Sequence, residues 1–338
     1  MTGRKLAWIC LGCIATLTVV VLPFHVLAFG RLRERRTLLL QANKDPAQTI
    51  RKIAMQSRST FFVSSQFRAW LHQHLQATMT DKSPVSPDDV VFIVMTSLET
   101  SNRVRLQRDT WMRWASHVIV LAEGEDAELG IMTLPELHNK TGFVNAQLRQ
   151  IHGMKWILND RPDLMQKKWF FLVDDDTWVN VPVLLDYLSE FPAILPVSFS
   201  HIYLMYDNQA VYNGGAGMLF TQTAFLDLAR AVLTPACPLQ DVDKNFVNND
   251  NILSACAYSM AILKVSSSKF STYEGVLHLQ KPIVDTGWLD QITVHKITDG
   301  AVAEDMFCWN AHFLGQLSDN RCSQPEAKTE THGAPKQF

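Results

Sequence analysis

The sequence carries almost no excess charge: 31 Lys and Arg stand against 33 Asp and Glu, a formal net charge of -2. No basic stripe follows the N-terminal region, which excludes nucleic acid and other polyanions as partners. Cysteine is scarce and widely spaced. Of the six, Cys10 and Cys13 fall in an N-terminal apolar run, while Cys237, Cys256, Cys308 and Cys322 contain no close pair of the kind zinc ligation needs. Those four are read as two disulfides in an oxidising compartment, with buried free thiols as the alternative. Pairing is not legible from spacing, although chain order favours Cys237 with Cys256 and Cys308 with Cys322. Internal repeats are absent too, which excludes solenoid and propeller arrays. With 338 residues, 47% of them hydrophobic, the chain has material for one large domain or two small ones.

The long apolar run is Leu6–Phe29, 24 residues without a charge. At about 1.5 Å per residue it spans the roughly 30 Å core of a bilayer. It is read as a signal-anchor behind a short cytoplasmic tail, residues 1–5. Two features pull the other way: Arg31, Arg33, Arg35 and Arg36 outnumber Arg4 and Lys5, against the positive-inside rule, and Val26-Leu27-Ala28 resembles a signal-peptidase site. Anchor and cleaved signal put the following domain in the same lumen. Asn139-Lys140-Thr141 is the sole N-glycosylation sequon. Residues 30–88 are polar and weakly amphipathic and read as a stem with an entry helix; 89–322 form the main domain, and 323–338 a polar, disordered tail.

The main domain alternates strand and helix signals. Apolar, β-branched runs at Val90–Ser97, His117–Glu123 and Lys168–Val173 have the length of buried parallel strands. Arg103–Trp114 and Phe143–Leu158 place apolar residues at helical spacing. This pattern predicts an α/β fold with a mostly parallel sheet between helices, and ligands in such sheets bind beyond the carboxyl ends of the strands. The third strand runs directly into Asp174-Asp175-Asp176. Three carboxylates after five apolar residues raise one another's pKa and are costly to bury without a cation. A hard divalent ion with oxygen ligands resolves this and bridges to phosphate. A calcium loop is excluded by the lack of a ligand ladder with central Gly and terminal Glu; a solvated helix cap is the plain alternative.

The segment WFFLVDDDTWVN (Trp169–Asn180) resembles the corresponding segment of the Fringe-type glycosyltransferases, within β-1,3-glycosyltransferase family 31. RLQRDTWM at Arg105–Met112, VIVLAEGED at Val118–Asp126, NGGAGMLFT at Asn213–Thr221, NNDNILSACA at Asn248–Ala257 and QITVHK at Gln291–Lys296 match the family in the same order. The resemblance covers Asp89 to Lys296. It implies a GT-A-type nucleotide-sugar-binding fold and an inverting enzyme that uses a UDP-sugar donor with manganese, magnesium remaining open. The acceptor would be a hydroxyl of a glycan, glycoprotein or glycolipid, joined in a β-1,3 linkage. Asp176 maps to the metal ligand, with Asp174 and Asp175 close to ribose or holding the metal shell. Asp250 maps to the general base that takes the acceptor proton, although Asn249 stands where the family has an acidic residue and the following residues are not kept. Capping of the helix Ile252–Leu263 is a second role open to Asp250. His278 is the first choice for the family's metal-binding His, with His295 the rival. Gly214, Gly215 and Gly217 lie in the family's glycine motif and are read as a loop running against the donor, with a tight turn between elements as the alternative. Thr96 and Arg105 map to positions near the nucleotide. Trp111, Trp178 and Trp288 are read as core before acceptor groove.

The resemblance further implies a Golgi or endoplasmic reticulum membrane protein, single-pass type II, with its catalytic domain in the lumen. Two other functions compete. A catalytically silent lumenal relative, acting as chaperone or partner, is favoured by Asn249 and opposed by the retained aspartates. A metal-dependent phosphohydrolase lacks a second carboxylate–His cluster in the sequence.

Overall fold

The computed structural model describes residues 45–75, 84–205, 207–237, 249–270, 290–298, 300–313 and 322. The Leu6–Phe29 run, the 323–338 tail, His278 and Trp288 lie outside the described residues. Among those described, no helix is long and apolar enough to cross a membrane.

The first described elements are helix α1 (Pro46–Ala54), strand β1 (Phe61–Val63) and helix α2 (Ser64–His74). An alternating stretch follows: β2 (Val90–Met95), α3 (Ser101–Asp109), β3 (His117–Leu121), β4 (Ile131–Met132), α4 (Phe143–Asp160), α5 (Pro162–Met165) and β5 (Trp169–Asp174). Then come β6 (Thr177–Val179), α6 (Val181–Leu188), β7 (Val197–Ser200), β8 (Ile202–Leu204), β9 (Ala210–Tyr212), β10 (Met218–Thr221) and α7 (Gln222–Ala231). The last elements are α8 (Asn249–Ser259), β11 (Leu263–Ser266), β12 (Thr293–His295) and α9 (Gly300–Phe313).

Eight strands form one sheet in the order β1-β11-β7-β10-β5-β2-β3-β4. Every pairing is parallel except those of β10, which runs antiparallel to both β5 and β7. The expected α/β architecture is therefore present, with a large, mostly parallel sheet between helices. Side-chain alternation divides its core in two. Val90, Phe92, Val94, Trp169, Phe171 and Val173 pack on one face; Val91, Ile93, Phe170 and Leu172 pack on the other. Both faces are apolar because both are covered, which is why β2 and β5 read as unbroken hydrophobic runs. Phe170 stacks on Phe225 of α7 at 3.7 Å, and each such buried ring contributes roughly 1.5–3 kcal/mol.

Local chemistry ends and starts these elements. Asp45 caps α1 by accepting from the Gln48 amide at 2.9 Å, with Pro46 in the first turn. The helix expected over Arg103–Trp114 breaks at Thr110 into a 3-10 turn, Trp111–Trp114, and this inserts Trp111 against Phe92 with ring centroids 5.2 Å apart. The helix expected from Ile252 to Leu263 starts earlier, at Asn249, and stops at Ser259, because Leu263 is drawn into the sheet against Val197. Residues 45–75, placed in the stem by their polarity, add strand β1 to the sheet edge through Phe61–Lys264 to Val63–Ser266 pairing. Phe67 of α2 is buried against Phe191 and Phe199. The folded unit thus begins well before Asp89.

Disulfides join Cys237 to Cys256 and Cys308 to Cys322, with Cα–Cα distances of 5.0 and 5.2 Å. The first clamps α8 to the segment after α7.

Candidate active site

The sheet topology delivers residues from distant segments to one edge. β2 and β5 end there at Met95 and Asp174, which are paired. A helix that follows a strand runs back antiparallel to it, so its first turn lies at that strand's carboxyl edge. This brings the Ser101 end of α3 to the edge. β10 is antiparallel to β5, with Met218 opposite Leu172, so the turn entering it, Gly214–Ala216, also lies beside the aspartates. The small β6–β12 sheet completes the edge by setting His295 opposite Thr177, next to Asp176.

These elements enclose a cavity of about 410 Å³, lined by Thr96, Arg103, Arg149, Asp174, Asp175, Asp176, Gly214, Gly215, Asn249, Asp250, His295 and Lys296, among others. The three aspartates have different surroundings. Asp175 is buried and held by the chain itself: its Oδ2 accepts from the hydroxyls of Thr96 and Thr100, each at 2.7 Å, and its Oδ1 from Arg103 Nη1 at 3.1 Å. Gln107 Nε2 donates to its backbone carbonyl. Thr100, at the N-cap of α3, stands in line with Arg103 and Gln107, which share one α3 face by helical periodicity.

Asp174 is the opposite case. Its Oδ1 is buried without a hydrogen-bond partner among the described residues. Burial first, then the neighbouring Asp176, Asp175 and Asp250 carboxylates, push its pKa well above the ordinary aspartate value of 3.8. Asp176 is also buried, which works against its charge, yet its pKa is lowered overall because His295, Lys296 and Arg103 stand beside it. His295 Nε2 lies 3.2 Å from Asp176 Oδ1; Lys296 Nζ and Arg103 Nη1 lie 3.5 and 3.9 Å from Oδ2. Asp174, Asp176 and His295 each offer a ligand atom within 4.8 Å of the others. An orphaned carboxylate oxygen beside a second carboxylate and an imidazole fits a divalent cation bound through oxygen and nitrogen.

Asp250 sits in the first turn of α8 with its Oδ2 accepting from the Gly214 amide at 3.3 Å. Burial raises its pKa, opposed by hydrogen bonds from the Asn251 and Gly214 amides. Asn249 is buried and donates to Gln150 Oε1, whose own amide nitrogen donates to the Val173 carbonyl at 2.8 Å. That chain ties α8 to the end of β5 through α4. The glycines are needed for close approach: a Cβ on Gly215 would overlap the His295 imidazole, and one on Gly217, whose φ is +85°, would lie 2.6 Å from the Phe171 ring. Thr177 Oγ1 and Thr293 Oγ1 hold this turn through the Gly215 and Ala216 carbonyls at 2.9 and 2.7 Å.

Of the residues singled out from sequence, Thr96, Asp174, Asp175, Asp176, Gly214, Gly215 and Asp250 meet in this cavity. Arg105 does not. It pairs with Glu128 at 2.8 Å, both well exposed, because a two-residue step turns it to the far side of α3 from Arg103. His278 lies outside the described residues, while its rival His295 is in the cavity. Sequence reasoning passed over Arg103 and Lys296. A usable signal existed for Arg103: it stands four residues before Gln107, on the helix that follows the strand ending at Met95. Trp111 and Trp178 are fully buried core.

The Fringe-like family matches residues 85–295. Among curated proteins, the chain is 32% identical over 123 residues to the Beta-1,3-N-acetylglucosaminyltransferase radical fringe of Xenopus laevis, covering 36% of this chain and 34% of that protein. It is 34% identical over 119 residues to the Beta-1,3-N-acetylglucosaminyltransferase lunatic fringe of Danio rerio, covering 33% and 32%. It is 24% identical over 131 residues to the Glycoprotein-N-acetylgalactosamine 3-beta-galactosyltransferase 1 of Xenopus laevis, covering 38% and 35%. The matched stretch spans about a third of each relative's length. With the whole core from before β2 to the end of β12 matched, the chain belongs to the Fringe-like family.

Proposed function

We propose that this protein is an inverting glycosyltransferase that moves a hexose or N-acetylhexosamine from a UDP-sugar to a hydroxyl of a glycan, glycoprotein or glycolipid, in a β-1,3 linkage. The observation that carries the reading is a single cavity lined both by the Asp174–Asp176–His295 cluster and by the buried Asp250 carboxylate. Membership of the Fringe-like family and the activities for which its relatives are named support it.

Asp174, Asp176 and His295 would hold a divalent cation, manganese first and magnesium second, which would supply charge to the diphosphate of the departing nucleotide. Asp250 accepts the proton of the acceptor hydroxyl as that oxygen attacks the anomeric carbon. The bond from the anomeric carbon to the diphosphate breaks on the opposite face, and UDP leaves with the electron pair. A buried Asp250 with a raised pKa is a stronger base than a solvated aspartate, and its orientation is fixed because Oδ1 accepts from the Asn251 amide at 2.7 Å and Oδ2 from the Gly214 amide at 3.3 Å. Asp175 orients the first turn of α3 by accepting from Thr96, Thr100 and Arg103. The two disulfides suit an oxidising lumen, in line with a type II membrane protein of the Golgi or endoplasmic reticulum anchored by Leu6–Phe29.

A screen of UDP-sugars with manganese and glycan acceptors tests the reading. Transfer from at least one donor, abolished by Asp176→Ala and by Asp250→Asn, is the expected result. Nucleotide binding without hydrolysis or transfer under any donor would instead identify a silent relative.

A further inference from the structure

Two cations approach the same oxygen of Asp176 from different elements. Arg103 arrives from α3 and Lys296 from the end of β12, at 3.9 and 3.5 Å from Oδ2, while Oδ1 faces His295. One edge of this carboxylate therefore belongs to the candidate cation cluster and the other to a positively charged rim. Both side chains line the cavity and remain partly exposed, at 34% for Arg103 and 47% for Lys296.

Lys296 is also held in an unusual backbone conformation, with φ at +68°. Left-handed backbone is disfavoured for a residue with a Cβ and persists only where neighbours over-determine it. The neighbours do so here: His295 is paired with Thr177 across the small sheet, and the Ile297 amide donates to the Asp176 carbonyl at 2.9 Å. The chain is pinned on both sides of Lys296, with its ammonium aimed over Asp176. Asp176 already has His295 and Arg103 nearby, so its own charge does not call for Lys296 as well. The charge count gives the arrangement a purpose. Asp174, Asp175, Asp176 and Asp250 bring four carboxyl groups to the cavity wall, and a divalent cation offsets only half of the negative charge they can carry. An anionic ligand entering such a site needs further positive charge close to the metal.

We propose that Lys296 and Arg103 form a clamp for the diphosphate of a nucleoside-diphosphate donor, contacting it beside the Asp174–Asp176–His295 cluster. This rests on the glycosyltransferase reading and adds to it the residues that grip the leaving group. Lys296 supplies a compact charge on a flexible stem and Arg103 a planar fork able to take two phosphate oxygens.

The test is calorimetric titration of the full chain with UDP and with uridine, in the presence of Mn2+, together with Mn2+ binding alone followed by electron paramagnetic resonance. Lys296→Gln and Arg103→Gln should each weaken UDP binding tenfold or more, while uridine binding stays within twofold and Mn2+ binding is unchanged or tighter. Lys296→Gly takes the same backbone conformation without strain, so it should melt at or above the wild-type temperature yet lose UDP affinity as Lys296→Gln does. UDP affinity unchanged in both glutamine variants overturns the clamp and leaves these residues as counter-ions of Asp176. Equal losses of Mn2+ and UDP affinity overturn it too, because they place the effect at the metal site. A wild-type chain that binds neither UDP nor uridine sinks the glycosyltransferase reading itself and the clamp with it.

Discussion

Asp175 is expected to be a structural keystone of the site, and Asp175→Ala tests this through stability before activity. The carboxylate is buried, at 7% exposure, and accepts hydroxyl hydrogen bonds of 2.7 Å from both Thr96 and Thr100. Hydrogen bonds to a charged acceptor contribute about 1.5–3 kcal/mol each. The lower end applies, because Thr96 has the Ser97 carbonyl at 3.3 Å and Thr100 the Ser97 hydroxyl at 2.9 Å as fallback partners. Two such bonds amount to about 3 kcal/mol. The Arg103 contact adds about 0.5 kcal/mol, since that guanidinium is one-third exposed and screened. The total of about 3–4 kcal/mol corresponds to a fall in melting temperature on the order of 6–15 °C for a domain of this size. Urea denaturation of Asp175→Ala and Asp176→Ala side by side is the assay. Asp176 contributes no such hydroxyl pair and stands among mutually repelling carboxylates, so its replacement should cost under about 1 kcal/mol. Asp175→Ala within 1 kcal/mol of wild type, or Asp176→Ala equally damaging, would refute the division of labour between neighbouring aspartates.

Further expectations concern catalysis, geometry and pH. Asp250→Asn should lower kcat by roughly 10²–10⁴ with little change in melting temperature. Because the Asp250 pKa is raised above 3.8 and the base must be ionised, wild-type activity should fall with decreasing pH at a higher pH than an ordinary aspartate would give, and this acid limb should vanish in the asparagine variant. Gly215→Ala forces a methyl into the His295 ring and should weaken Mn2+ binding roughly 10–100-fold; Mn2+ affinity equal to wild type would show that His295 has no part in holding the ion. Lys264, buried in β11 with its ammonium donating to the Ala210 carbonyl at 2.7 Å, has its pKa lowered by desolvation to about 7. Below that value it is charged in both folded and unfolded chains. Between about 7 and its ordinary value of 10.5 the unfolded chain binds the extra proton, so stability rises with pH across that window. Lys264→Met should remove this rise, and equal pH slopes for the two proteins from denaturation at pH 7 to 10 would contradict it.

Much of the fold was legible because β2 and β5 are covered on both faces. That requirement turns them into continuous apolar runs, and the aspartates stand out where the run stops. The N-terminal segment was misplaced for the same kind of reason: β1 is a short edge strand, and Phe61–Val63 carries no run long enough to announce it. Arg105 lies away from the cavity: matching a motif orders residues along the chain but does not orient them around a helix. Arg103 and Arg105 are separated by two positions and point to different sides of α3.

The sequence by itself determined the alternation of strand and helix, the position of the carboxylates at a strand end and the glycines of the tight turn. These are local consequences of side-chain periodicity, charge density and backbone freedom. Only the tertiary structure decided which carboxylate does what. Asp174, Asp175 and Asp176 are neighbours with identical side chains, and they differ because Thr96 and Thr100 reach one of them, His295 and Lys296 reach another, and no described residue donates to Oδ1 of the first. His295 comes from more than a hundred residues away through pairing of β12 with β6. Such pairing is a property of how distant strands pack, and no spacing along the chain records it.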